Sequence, residues 1–243
     1  MANIFEYLKW RGDLRFTQDP PNAVDALVFS GLSYIRFPAD AGISCRDGIS
    51  LQEAAELFFA QENYENCCRI QKDIDLLRAA VQTRRFGETR ICMYRDLLIP
   101  EQETQFAAMT FLLDDGSMFL AFRGTDNSLV GWKEDFNMTF QQTIPAQRLA
   151  LQYTRDVALE YLRPMHLGGH SKGGNLAVFA ASRSSPAIQS RILEVYNNDG
   201  PGFNDYLMGD VGYQAMVPKI RTFVPQSSVI GMLLEHEEPY TVI

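Results

Sequence analysis

The stretch MHLGGHSKGGNLAVFAA, residues 165–181, predicts a strand, an abrupt turn and a helix, with a serine at the turn. This pattern is the strongest indication of the fold. Within it, Gly169-His170-Ser171-Lys172-Gly173 has the G-x-S-x-G spacing of a nucleophile elbow. The spacing has a steric cause, since only glycine two positions either side of the serine, here Gly169 and Gly173, avoids a clash in so tight a turn. We therefore predict that Ser171 is a nucleophile above a sheet; the alternative is a glycine-rich turn that serves only packing.

Composition narrows the class of protein around this stretch. The 243 residues are 46% hydrophobic and carry 22 basic against 30 acidic side chains, a net charge of −8 without a basic run, which argues against nucleic acid as a partner. The N-terminal residues 1–10 lack the apolar core of a signal peptide, and no window reaches membrane-spanning length, so we expect a cytoplasmic protein without a transmembrane segment.

The four cysteines are Cys45, Cys67, Cys68 and Cys92. They lack the paired spacing of a zinc site, and the adjacent pair is unsuited to a disulfide, so we interpret all four as reduced thiols. We predict neither a metal site nor a cofactor. The length fits a single domain over residues 1–243.

The first third of the chain has helical periodicity. Apolar residues recur at helical spacing in residues 4–10, 24–35, 51–59 and 74–81, and Ser50 with Glu53 forms a capping box before the third of these segments. We find no titratable cluster with catalytic spacing here. Residues 1–88 are accordingly predicted to form a helical N-terminal extension to an α/β core over residues 89–243.

The period changes to that of strands near residue 89. Residues 105–113 and 117–122 read as a hairpin of near-continuous apolar strands, which suits strands covered on both faces. A helix is predicted over 146–161, before the elbow strand, with further strands at 192–196, 220–224 and 240–243. Strands that alternate with helices indicate an α/β fold, with a mostly parallel central sheet and helices on both faces.

Two further motifs carry a resemblance to a known family. The hairpin ends in Ala-Phe-Arg-Gly-Thr-Asp at residues 121–126, followed by Gly-Trp-Lys-Glu-Asp at 131–135. With the serine elbow, this order resembles the class 3 lipases of the α/β-hydrolase superfamily. Residues 3–14, 198–203 and 225–234 make the chain resemble still more closely the uncharacterised, lipase-like Mbeg1-like family, over essentially its whole length.

The resemblance implies an α/β-hydrolase fold and roles for particular residues. Ser171 takes the place of the nucleophile, and the backbone N–H groups of Thr125 and Lys172 take the places of the oxyanion-hole donors. Arg123 and Asp135 are expected to be structural, with the arginine paired to acids. The alternative for Thr125 is a turn that only caps the helix containing Trp132.

The acid of the triad is open between two aspartates. In this superfamily the acid follows one of the two strands after the elbow helix. Asp199 ends the first of these strands and Asp205 lies in the same loop, and we favour Asp199 because a side chain at a strand end is held more rigidly. Class 3 lipases usually carry the acid after the second strand, where residues 224–228 contain no carboxylate. The alternative for Asp199 is a turn former.

The base is the least secure part of the triad. Of three histidines, His166 enters the elbow strand and His170 precedes the serine, so only His236 follows the acid in chain order. Its glutamate-rich surroundings also suit a solvated surface histidine. The resemblance further leads us to expect that the natural chain continues beyond Ile243 with a strand and a histidine-bearing loop.

These residues predict a serine hydrolase that cleaves a small-molecule or lipid carboxylic ester through an acyl-enzyme on Ser171. Two alternatives remain: a non-catalytic binding or scaffolding protein of the same fold, and the same chemistry on a thioester or peptide. The stretch with Phe136, Met138, Phe140 and Ile144 lies where class 3 lipases carry a lid, so it either covers an acyl pocket or is the core of a connecting helix.

Overall fold

A computed structural model describes residues 3–126, 128–138 and 140–243. Its strands form one sheet in the order β1 to β8. The strands are β1 (Ile49–Ser50), β2 (Arg90–Ile99), β3 (Thr104–Leu112), β4 (Met118–Phe122), β5 (Met165–His170), β6 (Ile192–Asn198), β7 (Ile220–Val224) and β8 (Tyr240–Val242).

Helices occupy the N-terminal third and the connections between the later strands. The α-helices are α1 (Ile4–Arg11), α2 (Ala23–Leu32), α3 (Leu51–Phe59), α4 (Gln71–Val81), α5 (Arg84–Gly87), α6 (Leu129–Asn137), α7 (Pro145–Glu160), α8 (Lys172–Arg183), α9 (Pro186–Gln189), α10 (Asp205–Met208) and α11 (Val211–Met216). Short 3-10 helices span Tyr64–Asn66, Pro100–Gln102, Val217–Lys219 and Ile230–Met232.

The sheet is mixed. The three pairings among β1, β2, β3 and β4 are antiparallel, whereas β4 to β8 pair in parallel, with Ala121 opposite Gly168 and Gly168 opposite Tyr196. Parallel strands need a crossover connection, and α6 with α7, α8 with α9, and α10 with α11 supply three of them. The carboxyl ends of β4 to β7 therefore meet at one edge of the sheet.

The strand order explains how the two faces are covered. Successive right-handed crossovers that advance in one direction put their helices on one face, and α7 contacts α8, which contacts α11. The helices of the N-terminal third cover the other face, where α2 contacts β4, β5 and β6.

Two hydrophobic clusters result, one on each face of the sheet. Strand β4 shows the two-residue period that links them, since Met118, Leu120 and Phe122 belong to one cluster and Phe119 and Ala121 to the other. The expectation that the apolar strands are covered on both faces is confirmed.

Two local predictions, the hairpin and the capping box, are confirmed as well. The hairpin of β3 and β4 lies within one residue of its predicted bounds, and the capping box of Ser50 and Glu53 starts α3. The four cysteines are free thiols, and Cys92 is buried. Across the described ranges, no helix is long and apolar enough to cross a membrane.

Candidate active site

Ser171 occupies a strained turn between β5 and α8. Its backbone has φ 56° and ψ −131°, a left-handed conformation that costs a non-glycine residue about 1–3 kcal/mol. Serine is a favoured N-cap residue, yet the Ser171 side chain makes no capping hydrogen bond to α8. The hydroxyl is thus presented at the strand edge rather than used to stabilise the helix.

The elbow glycines are needed for close backbone packing. A Cβ on Gly169 would lie 2.3 Å from the Gly173 carbonyl carbon, and a Cβ on Gly173 would lie 2.1 Å from the Phe122 carbonyl oxygen. Both distances are far below van der Waals contact. The steric reason for the G-x-S-x-G spacing is therefore visible in the backbone contacts themselves.

The end of β4 lies directly against the elbow. A Cβ on Gly124 would lie 2.4 Å from the His170 carbonyl oxygen and 3.3 Å from Ser171 Cβ. Only a residue without a side chain allows the chain to pass this close to the serine, and the next residue is Thr125.

Thr125 is held by an acid. Its hydroxyl donates to the Asp135 carboxylate, with Oγ1 2.7 Å from both Oδ1 and Oδ2. Burial raises the pKa of Asp135, and this effect outweighs the stabilising charge of Lys172 and the Thr125 hydrogen bond. The Thr125 hydroxyl is thus committed to Asp135, which leaves its backbone N–H as the group that could face a substrate.

Two backbone amides are available beside the serine. Lys172 is the first residue of α8, where helical N–H groups lack an intrahelical acceptor. Within the described ranges, neither the Thr125 nor the Lys172 amide bonds a backbone acceptor. A helix N-terminus and a second free amide form the usual arrangement of donors for an oxyanion.

Arg123 supports the turn from below. Its guanidinium donates to both oxygens of Asp96 on β2, at 2.9 and 2.6 Å, and its side chain is buried. Arg36 bonds Asp126 at the same turn. The pairing of Arg123 with an acid agrees with its predicted structural role.

Asp199 also occupies a strained position at the same edge. It follows β6 with φ 58°, and its amide donates to Phe223 O at 2.8 Å. The Ser171 amide donates to Asn198 O at 2.9 Å, so the acid candidate and the serine are on adjacent strand ends. One Asp199 oxygen accepts a hydrogen bond from the Ser228 hydroxyl.

His236 is bonded at both ring nitrogens. Nδ1 lies 3.0 Å from Glu238 Oε1, and Nε2 lies 2.9 Å from Gly231 O. Both partners only accept, so these contacts favour the doubly protonated ring, in which both nitrogens can donate. Burial lowers the pKa of His236, but the hydrogen bond and charge of Glu238 with the Gly231 carbonyl outweigh it, and the pKa is raised.

This histidine is not joined to the other triad candidates. Among the described residues, no hydrogen bond connects His236 with Asp199 or with Ser171. The connection is indirect: the Gly231 amide donates to Ser228 Oγ at 2.9 Å, and the same hydroxyl donates to Asp199.

Burial lowers the pKa of the other two histidines. Burial and the charge of Arg69 lower the pKa of His170 to about 4, although Asp199 opposes the shift. His170 Nδ1 lies 2.9 Å from the Tyr34 hydroxyl, which ties the elbow to the loop after α2. Burial also lowers the pKa of His166, which lies on β5 at the distant end of the strand.

Asp205, the alternative acid, is the first residue of α10, and its side chain is exposed. Its backbone carbonyl accepts from the Gly209 amide. In the described ranges, no group of three or more histidine, cysteine, aspartate or glutamate residues could hold a metal ion.

A sequence profile settles the family. The profile of the Mbeg1-like family matches residues 80–243, which is more than half of the chain. The chain belongs to the Mbeg1-like family. No curated protein matches it.

Several solved structures are similar to this Mbeg1-like chain. Rhizomucor miehei lipase, solved as a native propeptide complex, is 16% identical with a TM-score of 0.52, over 90% of this chain and 67% of that one. Lipase II from Rhizopus niveus has 12% identity and a TM-score of 0.46, over 85% of this chain and 72% of that one. A variant of MDLA from Penicillium cyclopium has 17% identity and a TM-score of 0.46, over 89% of this chain and 77% of that one. The Rhizomucor likeness shows that this chain has a lipase-like α/β-hydrolase fold.

Helix α6 of this Mbeg1-like chain, which follows the Thr125 turn, and the residues just after it expose large apolar side chains. Leu129, Trp132, Phe136 and Phe140 are each more than 60% exposed, and the two phenylalanine rings pack at a centroid distance of 4.9 Å. Met138 and Ile144, in contrast, are buried in the core. The stretch expected to be a lid thus combines two exposed aromatic residues with two residues of a connecting core segment.

Three polar groups near the site escaped the sequence analysis. They are the Ser228 hydroxyl, the Glu238 carboxylate and the Glu134 carboxylate, which bonds the buried Lys172 ammonium. Ser228 lies at the start of the loop after β7, where residues 224–228 contain no carboxylate, and Glu238 and Glu134 lie in charged stretches that resemble solvated surface. One signal was available in the sequence. Lys172 lies within the elbow motif, at a position expected to pack against the strands, so its charge would need a partner such as Glu134.

Proposed function

We propose that this protein is a serine hydrolase that cleaves carboxylic esters through an acyl-enzyme on Ser171. The observation that carries the proposal is the serine itself: a non-glycine residue at φ 56° that forgoes helix capping, beside a strand end brought against it by Gly124. Strain of this kind persists where the surrounding packing imposes it, and it clusters at active sites.

In the proposed reaction, Ser171 Oγ attacks the ester carbonyl carbon while the base removes the hydroxyl proton. The carbonyl oxygen becomes an oxyanion, for which the Thr125 and Lys172 amides are the proposed donors. The tetrahedral intermediate collapses with cleavage of the ester C–O bond, and the alcohol leaves with the proton from the base. Water then attacks the acyl-enzyme, the base takes its proton and returns it to Ser171, and the carboxylic acid is released.

Asp199 is our proposed acid and His236 our proposed base. Asp199 lies on the strand end adjacent to that of Ser171, and the burial of His170 together with its low pKa removes the nearest alternative imidazole from this role. The assignment requires that His236 lose one ring proton, that Nε2 leave the Gly231 carbonyl and that Nδ1 leave Glu238. Asp199 must also exchange Ser228 for the imidazole. Replacement of His236 by glutamine tests it, since loss of the base lowers turnover by several orders of magnitude.

The exposed aromatic face of α6 supports an apolar acyl group in the substrate. Phe136 and Phe140 lie on the chain that follows the oxyanion turn and present rings to solvent. Turnover of p-nitrophenyl esters of increasing chain length by the wild type and by Ser171→Ala tests the proposal. We expect hydrolysis by the wild type only, with longer acyl chains preferred to acetate; equal rates in the two proteins would refute it.

A second function, non-catalytic binding at the same site, is favoured by one specific observation. Both ring nitrogens of His236 and one oxygen of Asp199 are engaged by groups other than each other. A binding protein predicts no ester turnover at any chain length and no effect of Ser171→Ala on ligand binding. The two functions are therefore separated by the same pair of proteins.

A further inference from the structure

The side chain of Lys172, the residue after the serine, is buried with a full set of partners. Its ammonium donates to Glu134 Oε2 at 2.7 Å, to Gln105 O at 3.0 Å and to Gln105 Oε1 at 3.1 Å. The side chains of Lys172 and Glu134 are 1% and 0% exposed. All three ammonium protons are thus used, in a place without access to solvent.

Glu134 connects further elements. Besides Lys172, Oε2 accepts from the Gln105 amide at 3.2 Å and Oε1 accepts from the Ala146 amide at 3.0 Å. Ala146 is in the first turn of α7, where a carboxylate is favoured by the helix dipole. A single carboxylate on α6 therefore joins β3, α7 and α8.

The stability of the fold does not by itself explain a buried ion pair of this kind. Desolvation of two charges costs as much as their attraction returns, so buried pairs are often no more stable than an apolar pair of the same size. Their directional bonds, however, fix the elements that carry them. Here the two partners adjoin the site residues, since Lys172 follows Ser171 and Glu134 precedes Asp135, the acid that holds Thr125.

We propose that the Glu134–Lys172 ion pair is a positioning device, which fixes α6 and the Thr125 turn relative to the Ser171 elbow. Helix α6 is then an anchored element with a permanently exposed aromatic face and not a hinged lid. Lys172 and Glu134 act through Thr125 and Ser171, so they are positioning residues. The catalytic consequence rests on the proposed function, whereas the anchoring of α6 does not.

The test uses Lys172→Met, Glu134→Gln and the double variant, with two measurements on each. Amide hydrogen exchange across α6 reports anchoring, and the rate of Ser171 labelling by a fluorophosphonate reports the geometry of the site. We expect exchange in α6 to rise about tenfold or more and labelling to slow by about 10- to 100-fold in all three, because a displacement of about 1 Å has effects of this size.

The double variant separates positioning from stability. It removes both buried charges, so it should melt closer to the wild type than Lys172→Met does. Labelling should nevertheless stay slow, because the bonds of the ammonium to Gln105 and Glu134 are gone. Recovery of labelling in step with melting temperature would show a merely structural pair and overturn the proposal.

A matched control exists on the other face of the sheet. Arg85 and Asp25 form an ion pair with both side chains fully buried, 2.5 Å apart. Arg85→Met should lower the melting temperature without faster exchange in α6 or slower labelling. Wild-type protein that does not label would refute the hydrolase but leave the exchange measurement valid; unchanged α6 exchange in Lys172→Met would refute the anchoring.

Discussion

Gly173→Ala tests the contact between the elbow and the end of β4. The new Cβ would lie 2.1 Å from Phe122 O, 2.9 Å from Phe122 C and 3.0 Å from Arg123 C. All three neighbours are backbone atoms, so no side chain can swing aside, and the strand end must move by about 1 Å. Overpacking costs up to about 3 kcal/mol, while alanine in a helix gains about 1 kcal/mol over glycine.

The net expectation is a loss of about 2 kcal/mol, which for a chain of this size lowers the melting temperature by roughly 4–8 °C. The same displacement carries Thr125 away from Ser171, so fluorophosphonate labelling should slow by about 100-fold. Gly209→Ala is the control, because its Cβ would meet only Asp205 O, at 3.4 Å. A Gly173→Ala protein that melts and labels like the wild type would refute the packing described for the elbow.

Other predictions concern the pH dependence of stability and the hydrogen bond of Thr125 to Asp135. Because the pKa of His236 is raised, its stabilisation is complete below the unfolded value of about 6.5 and is lost as pH rises through the folded value. The melting temperature should therefore fall as pH rises above about 6.5 in the wild type but not in His236→Gln. The pKa of His170 is lowered to about 4, so its stabilisation holds above pH 6.5 and declines towards pH 4, by up to roughly 3 kcal/mol; His170→Gln should flatten the acid limb of the melting profile, and an unchanged limb would contradict this. Thr125→Val, which removes the donor to Asp135, should lower the free energy of unfolding in urea by about 1–3 kcal/mol, and Thr125→Ser should not.

The features predictable from sequence are those with local causes. The spacing of the two elbow glycines reflects a contact between Gly169 and Gly173, four positions apart, and the capping box joins Ser50 to Glu53, three positions away. The hairpin of β3 and β4 has a turn of five residues between strands whose apolar pattern is unbroken. Such features depend on sterics and short-range hydrogen bonds, which a sequence displays directly.

The remaining features depend on distant partners. Lys172 and Glu134 are 38 positions apart, and His170 and Tyr34 are 136 apart. Nothing in a charged pair of residues reveals whether tertiary structure will bury it. The balance of parallel and antiparallel pairings was equally hidden, since β1 has only two residues and its direction is set by its pairing with β2.

The same limit applies to the triad. Chain order selects Asp199 and His236, but only the tertiary contacts of Ser228, Glu238 and Gly231 determine what these side chains bond. The order of residues along a chain restricts which of them can be the acid or the base, but it does not determine where their side chains lie. The acid and the base are therefore proposals, whereas the structure describes the strand, turn and helix around Ser171.

Whether Ser171 is a nucleophile can be measured by covalent labelling. The wild-type protein would be treated with a fluorophosphonate, its intact mass measured and the modified peptide mapped, beside Ser171→Ala. We expect one adduct on the wild-type protein, located on Ser171, and none on Ser171→Ala. A folded wild-type protein that gains no adduct, or gains it equally in Ser171→Ala, would contradict it.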